Sequence, residues 1–281
     1  MPLPAFLALA FASVAFYWAG MVLNDVFDVE EDTARRRPRP IVQGDISLEL
    51  ARKVGWFLLG VGCFLAAVTP WFTGVEDIGT AWIPLGVAVA LGLSIVAYDG
   101  WFKALWIAPW IMGICRALNI GLGATIAFNE WPNWDLNQWM SLGLLMLGHF
   151  LYVSGFTWAA RREAVQSKRS ILIFGWSICF LGVAAFASVP AIASQGPLYM
   201  DPYRWYPLLI AMLCFPLARR AWAACVSLQP MAVQASIKQA IMTIILLDAS
   251  VSLEFAGSTV GSICCLMILP SLWMGTWFRS T

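Results

Sequence analysis

The sequence predicts an all-α fold, a polytopic membrane bundle of about nine transmembrane helices. Three observations carry that expectation. The 281-residue chain is 60% hydrophobic with 16 Trp and only 12% charged, the composition of an integral membrane protein. Apolar runs of about 18 residues or more recur along its whole length, each long enough to cross roughly 30 Å of hydrocarbon as a helix. The charges fall between those runs, and the basic ones gather on alternate connections.

Taken in order, spans are expected at about 3–23, 54–72, 80–98, 104–127, 138–158, 171–194, 206–225, 240–255 and 260–278. The first is too long for a signal-peptide core and no small-residue cleavage site follows it, so it is read as retained. The eighth is the weakest, interrupted by Asp248 and ended by Glu254. Connections after spans one, three, five and seven, with the C-terminus, hold Arg35, Arg36, Arg37, Arg39, Arg52, Lys53, Lys103, Arg161, Arg162, Lys168, Arg169, Lys238 and Arg279, and Arg219 and Arg220 belong to the same side. The opposite connections offer Glu76, Asp77, Glu130, Asp135 and Asp201, with Arg204 as their one basic residue. The positive-inside rule makes the basic side cytoplasmic and the N-terminus external, in what is expected to be a bacterial inner (plasma) membrane. Trp71, Trp82, Trp131, Trp134, Tyr203, Trp205 and Tyr206 on the other side form an interfacial aromatic belt. The seven Cys lie mostly inside apolar runs, without metal-ligand spacing or a disulfide pattern, and read as small buried hydrophobes. One transmembrane domain over 1–281 is expected, with no soluble domain, no low-complexity segment and no nucleic-acid signature.

Where the first span ends, the chain reads Asn24-Asp25-Val-Phe-Asp28-Val-Glu30-Glu31-Asp32, followed by Arg35-Arg36-Arg37-Pro38-Arg39-Pro40. At about 100° per residue, Asp25, Asp28 and Asp32 fall within roughly 60° of one another on a helix. Such a row repels itself and sits at a helix C-terminus, where the macrodipole also disfavours anions. A bound divalent cation removes both penalties. A solvated polar loop capping a membrane helix is the alternative, and it requires no regular spacing.

Further polar groups converge on the same ends of the spans. Tyr98-Asp99-Gly-Trp-Phe-Lys103 forms a tight polar turn between spans three and four. Arg116 and Asn119 lie one turn apart inside span four, and a charge at that depth costs a few kcal/mol unless it faces a cavity or a partner. A cavity-facing role and a buried ion pair with Asp99 or Asp248 both satisfy that requirement. After span five comes Arg161-Arg162-Glu163-Ala-Val-Gln-Ser-Lys168-Arg169, one acid against four bases, either a positive-inside anchor or a phosphate site. His149 stands alone in its span and reads as a packed or pore-facing histidine rather than a metal ligand. Asp248 reads as hydrogen-bonded within the bundle.

Asn24-Asp25-x-x-Asp28-x-x-x-Asp32 with Arg37-Pro-Arg39-Pro40-Ile-x-x-Gly44-x-Ile46-Ser47 resembles the first signature of the UbiA superfamily of membrane prenyltransferases. Tyr98 with Lys103 resembles the family's Tyr…Lys element, and Arg116 with Asn119 its Arg-x-x-Asn pair. The resemblance implies a helical bundle around a membrane-open cavity. It also implies Mg²⁺-dependent transfer of a prenyl group, an alkyl group other than methyl, from a polyprenyl diphosphate to a small aromatic, tetrapyrrole or quinone-type acceptor. By the same resemblance, Asp25, Asp28 and Asp32 hold Mg²⁺ and act with Lys103 in catalysis. Asn24, Arg37, Tyr98, Arg116 and Asn119 bind the isoprenoid diphosphate, and Arg161, Arg162, Glu163, Lys168 and Arg169 face it from the later loop. The lipid bilayer and pathway partners encoded nearby are the other expected associates, and the motif loops are expected in the cytoplasm.

Two departures from the family pattern stand out. Active members carry a second aspartate-rich motif where this chain reads Arg161-Arg162-Glu163, with Glu163 the one carboxylate. That pattern is similar to UbiA-like proteins of the EboC type, linked to export of a metabolite precursor. The alternative expectation is accordingly a non-catalytic lipid-binding or transport-accessory membrane protein. The family also has a helix before the motif helix, whereas this sequence opens on the motif helix. A start codon set too far downstream and true loss of the helix both explain that.

Overall fold

The computed structural model describes residues 2–34, 39–75, 78–127, 130–161, 163, 166–193 and 198–270. Among the described residues there is no strand, and eight helices are long and apolar enough to cross a membrane. The order is α1 (Leu3–Phe27), α2 (Val29–Ala34), α3 (Pro40–Gln43), α4 (Leu48–Thr73), α5 (Ile78–Ala81) and α6 (Ile83–Ala97). A π-helical turn at Tyr98–Phe102 then leads to α7 (Ala108–Ala124), α8 (Leu136–Ala160), α9 (Arg169–Ile192), α10 (Trp205–Ser227), α11 (Pro230–Ala256) and α12 (Ser258–Leu266).

The helices start and stop where local chemistry allows. Ser47 accepts a hydrogen bond from the Leu50 amide and caps α4, while Asp135 and Gln138 close a capping box at the start of α8. Gly44 and Gly74 end α3 and α4 at φ 83° and 69°, a region an L side chain rarely adopts. The eight long helices overlie the first eight expected spans. Several exceed the apolar run that announced them: α11 begins at Pro230, because Gln234, Ser236, Lys238 and Gln239 continue the helix beyond its apolar segment. Asp248 does not interrupt it. The ninth expected span opens on a shorter apolar helix, Ser258–Pro270, and its remainder lies outside the described residues.

Two compact units divide the chain, Met1–Trp134 and Asp135–Thr281. In the first, α1 packs along α4, α4 against α6, and α6 against α7. Its core is a seam of Leu9, Ala12, Phe16, Ala19 and Leu23 from α1 with Leu59, Ala66, Ala88, Leu91 and Leu122. In the second unit, α8 and α9 form a close antiparallel pair, with α10 and α11 packed together beside it. Small residues set the α8–α9 approach. Gly148 and Gly155 on α8 face Gly182 and Gly175 on α9 so closely that a methyl on Gly155 would lie 2.3 Å from the Cys179 amide nitrogen.

Candidate functional site

The acidic row straddles the junction between α1 and α2. Asp28 caps α1, and the amides of Asp28 and Asp32 donate to the carbonyls of Asn24 and Asp28, so the helical path continues through the row. Four-residue spacing therefore keeps Asn24, Asp28 and Asp32 stacked along one face. Asp32 is 2% exposed. The carboxylates meet cations at this point. Lys103 Nζ donates to Asn24 Oδ1 at 2.6 Å and pairs with Asp28 Oδ2. Arg39 spans the row: one terminal nitrogen lies 3.5 Å from Asp25 Oδ1 and its Nε lies 3.5 Å from Asp32 Oδ2. These pairs offset the repulsion within the row and the unfavourable helix terminus.

Lys103 reaches the row because of the turn that precedes it. The π-helical segment Tyr98–Phe102 is one residue wider per turn than an α-helix. It packs against α1, where a methyl added to Gly100 would lie 3.4 Å from the Phe27 ring. The turn also buries Asp99, 8% exposed, within electrostatic reach of Lys103 and Asp28. Tyr98 opens the same turn and is half-buried.

Arg116 and Asn119 lie farther along α7. Asn119 Oδ1 accepts from Ser13 Oγ at 2.7 Å, and about 16 Å of helix rise separates Ser13 from Asn24. That pair borders a cavity of about 330 Å³ between α1 and α7, otherwise lined by Phe6, Leu9, Ala10, Leu122, Gly123 and Ile126. Asn119 thus belongs to an apolar cavity rather than to the carboxylate cluster. Arg116 is one turn nearer the start of α7 and half-buried, with its Nε shielded from solvent.

In the second unit, the loop after α8 is tied to its own helices. Arg161 stacks over the Trp158 ring at 5.0 Å, a cation–π contact. Arg169 Nε donates to the Cys225 carbonyl at 3.1 Å, near the C-terminal end of α10, where a cation is favoured. Gln234 donates to the Glu163 carbonyl, and burial pushes the Glu163 carboxyl above the usual carboxylate range. Lys168 is exposed at the start of α9. Arg37 and Arg162 lie outside the described residues. Deeper in this unit His149 is 1% exposed, with Nδ1 facing the Leu145 carbonyl at 2.9 Å and Nε2 facing Asp248 Oδ1 at 2.7 Å. The histidine is packed, and it is the partner that Asp248 needs at that depth.

Among the described residues, no three His, Cys, Asp or Glu side chains converge on a point that would hold a metal ion. A hard cation such as Mg²⁺ does not demand three, since one or two carboxylates with phosphate oxygens and water complete its octahedron. Asp25, Asp28 and Asp32 fit that role in kind, as oxygen donors along one stretch of helix. Arg39 stands between the outer two.

Two residues of this cluster were not singled out in the sequence as ligand-binding. Arg39 was one base among several in a tail, and no spacing rule says which of them folds back. Asp99 was visible as an acid in a polar turn, but its inward direction depends on the π-helical geometry, which a 100° periodicity does not contain.

A model of the UbiA prenyltransferase family matches residues 1–224. The chain is 42% identical over 66 residues to a digeranylgeranylglyceryl phosphate synthase from Metallosphaera sedula, covering 23% of each chain. It is 35% identical over 85 residues to a protein of the same name from Hyperthermus butylicus, covering 30% of this chain and 25% of that one. The matched stretch spans about a quarter of the length of these curated relatives. No solved structure matches the chain.

Proposed function

The chain belongs to the UbiA prenyltransferase family of membrane proteins, and from that premise we propose that it transfers a prenyl group from a polyprenyl diphosphate to a small acceptor. The carrying observation is the cluster at the end of α1, where Asn24, Asp25, Asp28 and Asp32 meet Lys103 and Arg39. Carboxylates interleaved with cations suit a divalent metal and a diphosphate together, and neither ligand alone uses both halves of the set.

In this reading Asp25, Asp28 and Asp32 would hold Mg²⁺, which supplies charge neutralisation to the departing diphosphate when bound. Lys103 donates to phosphate oxygens, its ammonium already oriented by Asn24 and Asp28. Asn24 keeps that ammonium in place through its side-chain oxygen. Tyr98, at the start of the same turn, supplies a hydroxyl donor, and Asp99 lies buried beside Lys103. Arg116 lines the approach from α7. Ser13 and Asn119, with the apolar walls around them, suit a hydrophobic part of a substrate. The acceptor is an aromatic or quinone-type molecule or, following the name shared by the two curated relatives, a glyceryl phosphate. The orientation that accompanies this reading puts the motif loops in the cytoplasm.

Asp28 decides the matter because it pairs with Lys103 and sits mid-row. Purified protein is expected to bind a prenyl diphosphate in a Mg²⁺-dependent way, and Asp28→Ala is expected to abolish that binding. Tight binding that ignores both EDTA and Asp28→Ala would refute the proposal.

A second reading, a lipid-binding accessory without turnover, is favoured by the loop after α8. Its one acid is Glu163, and Arg161 and Arg169 are engaged by Trp158 and the Cys225 carbonyl. Detectable prenyl transfer to any member of an acceptor panel excludes it.

A further inference from the structure

We propose that Arg39 is the resident counter-cation of the acidic row, a guanidinium that competes with a divalent metal for Asp25 and Asp32 and passes to the diphosphate once displaced. This rests on the metal-diphosphate reading above and assigns to one residue the exchange that the reading requires.

Three features point to Arg39. Among the described residues it bridges the two ends of the row, through different nitrogens, at 3.5 Å on each side. The Asp32 side chain is 3% exposed while that of Arg39 is 43% exposed, so the guanidinium forms the solvent-facing layer over a buried carboxylate. A guanidinium does not deprotonate, so it leaves such a carboxylate by moving rather than by losing its charge. Two cations held by one carboxylate pair repel each other, so a metal bound to these oxygens weakens the hold of Arg39 on them.

The local backbone supports the exchange. Arg39 precedes Pro40 at φ −110° and ψ 142°, an extended conformation that a following proline favours. The side chain can therefore swing while its own backbone stays as the N-terminal boundary of α3. Lys103 is the less suitable candidate for displacement. It holds Asn24 and Asp28 together at shorter range and anchors α1 to the turn after α6. Once free, a guanidinium offers planar paired donors that match phosphate oxygens. Arg39 is thus a positioning residue for the metal and a binding residue for the diphosphate.

Manganese alone, as a spectroscopic stand-in for Mg²⁺, separates these roles when titrated into purified full-length protein in lipid nanodiscs. Arg39→Gln is expected to bind Mn²⁺ at least about fivefold more tightly than the native protein, because the competing charge is gone. With Mn²⁺ saturating, the same variant is expected to bind inorganic pyrophosphate about tenfold more weakly. Arg39→Lys keeps the charge but cannot bridge two carboxylates, and its Mn²⁺ affinity is expected between the two. It also serves as the folded comparison should the glutamine variant prove unstable. Equal or weaker Mn²⁺ binding by both variants, with native binding still lost in Asp28→Ala, overturns the exchange and leaves the metal reading intact. Absence of Mn²⁺ binding in native protein and variants alike overturns both.

Discussion

Gly155→Ala is expected to force α8 and α9 apart, although it adds a single methyl group. That methyl would lie 2.3 Å from the Cys179 amide nitrogen and 2.6 Å from both the Cys179 Cα and the Gly175 carbonyl oxygen. Ordinary contact for a carbon atom is about 3.5 Å, so the helices must separate by roughly 1 Å. A gap of that size forfeits about a quarter to a half of each dispersion contact along the pair. Where side chains can turn aside, overpacking costs about 1–3 kcal/mol. Here the obstructing atoms are backbone, so the cost is expected at about 3 kcal/mol or more. Gly60 is the control, since a methyl there meets nothing within 4 Å and Gly→Ala in a helix gains about 0.5–1 kcal/mol. A thiol-reactive dye reads the unfolding as labelling of the buried Cys179 and Cys214, in a background where the other five cysteines are replaced by serine or alanine. The apparent Tm of Gly155→Ala is expected to fall by roughly 6–12 °C. A melting curve indistinguishable from that of Gly60→Ala would refute the close-approach reasoning.

Two further substitutions probe the polar clusters. Lys103→Met removes the ammonium from Asn24 and Asp28, and charge-assisted bonds of about 1.5–3 kcal/mol translate to pyrophosphate binding roughly 10- to 150-fold weaker; unchanged affinity in a calorimetric titration would remove Lys103 from the site. In the second unit, Asp248→Asn keeps both a donor and an acceptor for His149 Nε2 and is expected to cost under about 1 kcal/mol. His149→Ala opens a cavity and strips Asp248 of its partner, at about 2–4 kcal/mol. Equal Tm losses for the two would show that the pair is not what holds α8 to α11.

Much of this was legible in the sequence because the membrane simplifies the code. An apolar run reports where a helix crosses hydrocarbon, and all of the first eight runs coincide with long helices. It does not report where the helix ends, and α11 extends ten residues before the run at 240–255 because the chain outside the apolar layer is also helical. The acidic row was legible through its spacing, which survives the α1–α2 junction intact. The pairing of that row with Lys103 was legible only through resemblance to a family. Nothing local links positions 28 and 103, and their meeting depends on how α1, α6 and the turn after it pack. The sequence marks Asp248 as an interruption of its span and as a residue in need of a hydrogen bond within the bundle, without naming the partner. The structure supplies His149 from another helix, a tertiary fact that hydropathy cannot carry. The glycines at 148, 155, 175 and 182 were legible and unread: two pairs at the same seven-residue interval on neighbouring helices are a packing signal.

The π-helical turn at Tyr98–Phe102 makes the position of Lys103 a matter of counting. Such a turn holds one residue more than the regular helix it interrupts. Loss of any single residue from it would let the regular helix close up and rotate everything downstream by about 100°, carrying the ammonium away from Asn24 and Asp28. Substitutions within the turn leave that register untouched. The length of this segment is therefore a constraint separate from the roles of Tyr98 and Asp99 within it, and an insertion or deletion there disturbs the site more widely than a substitution does.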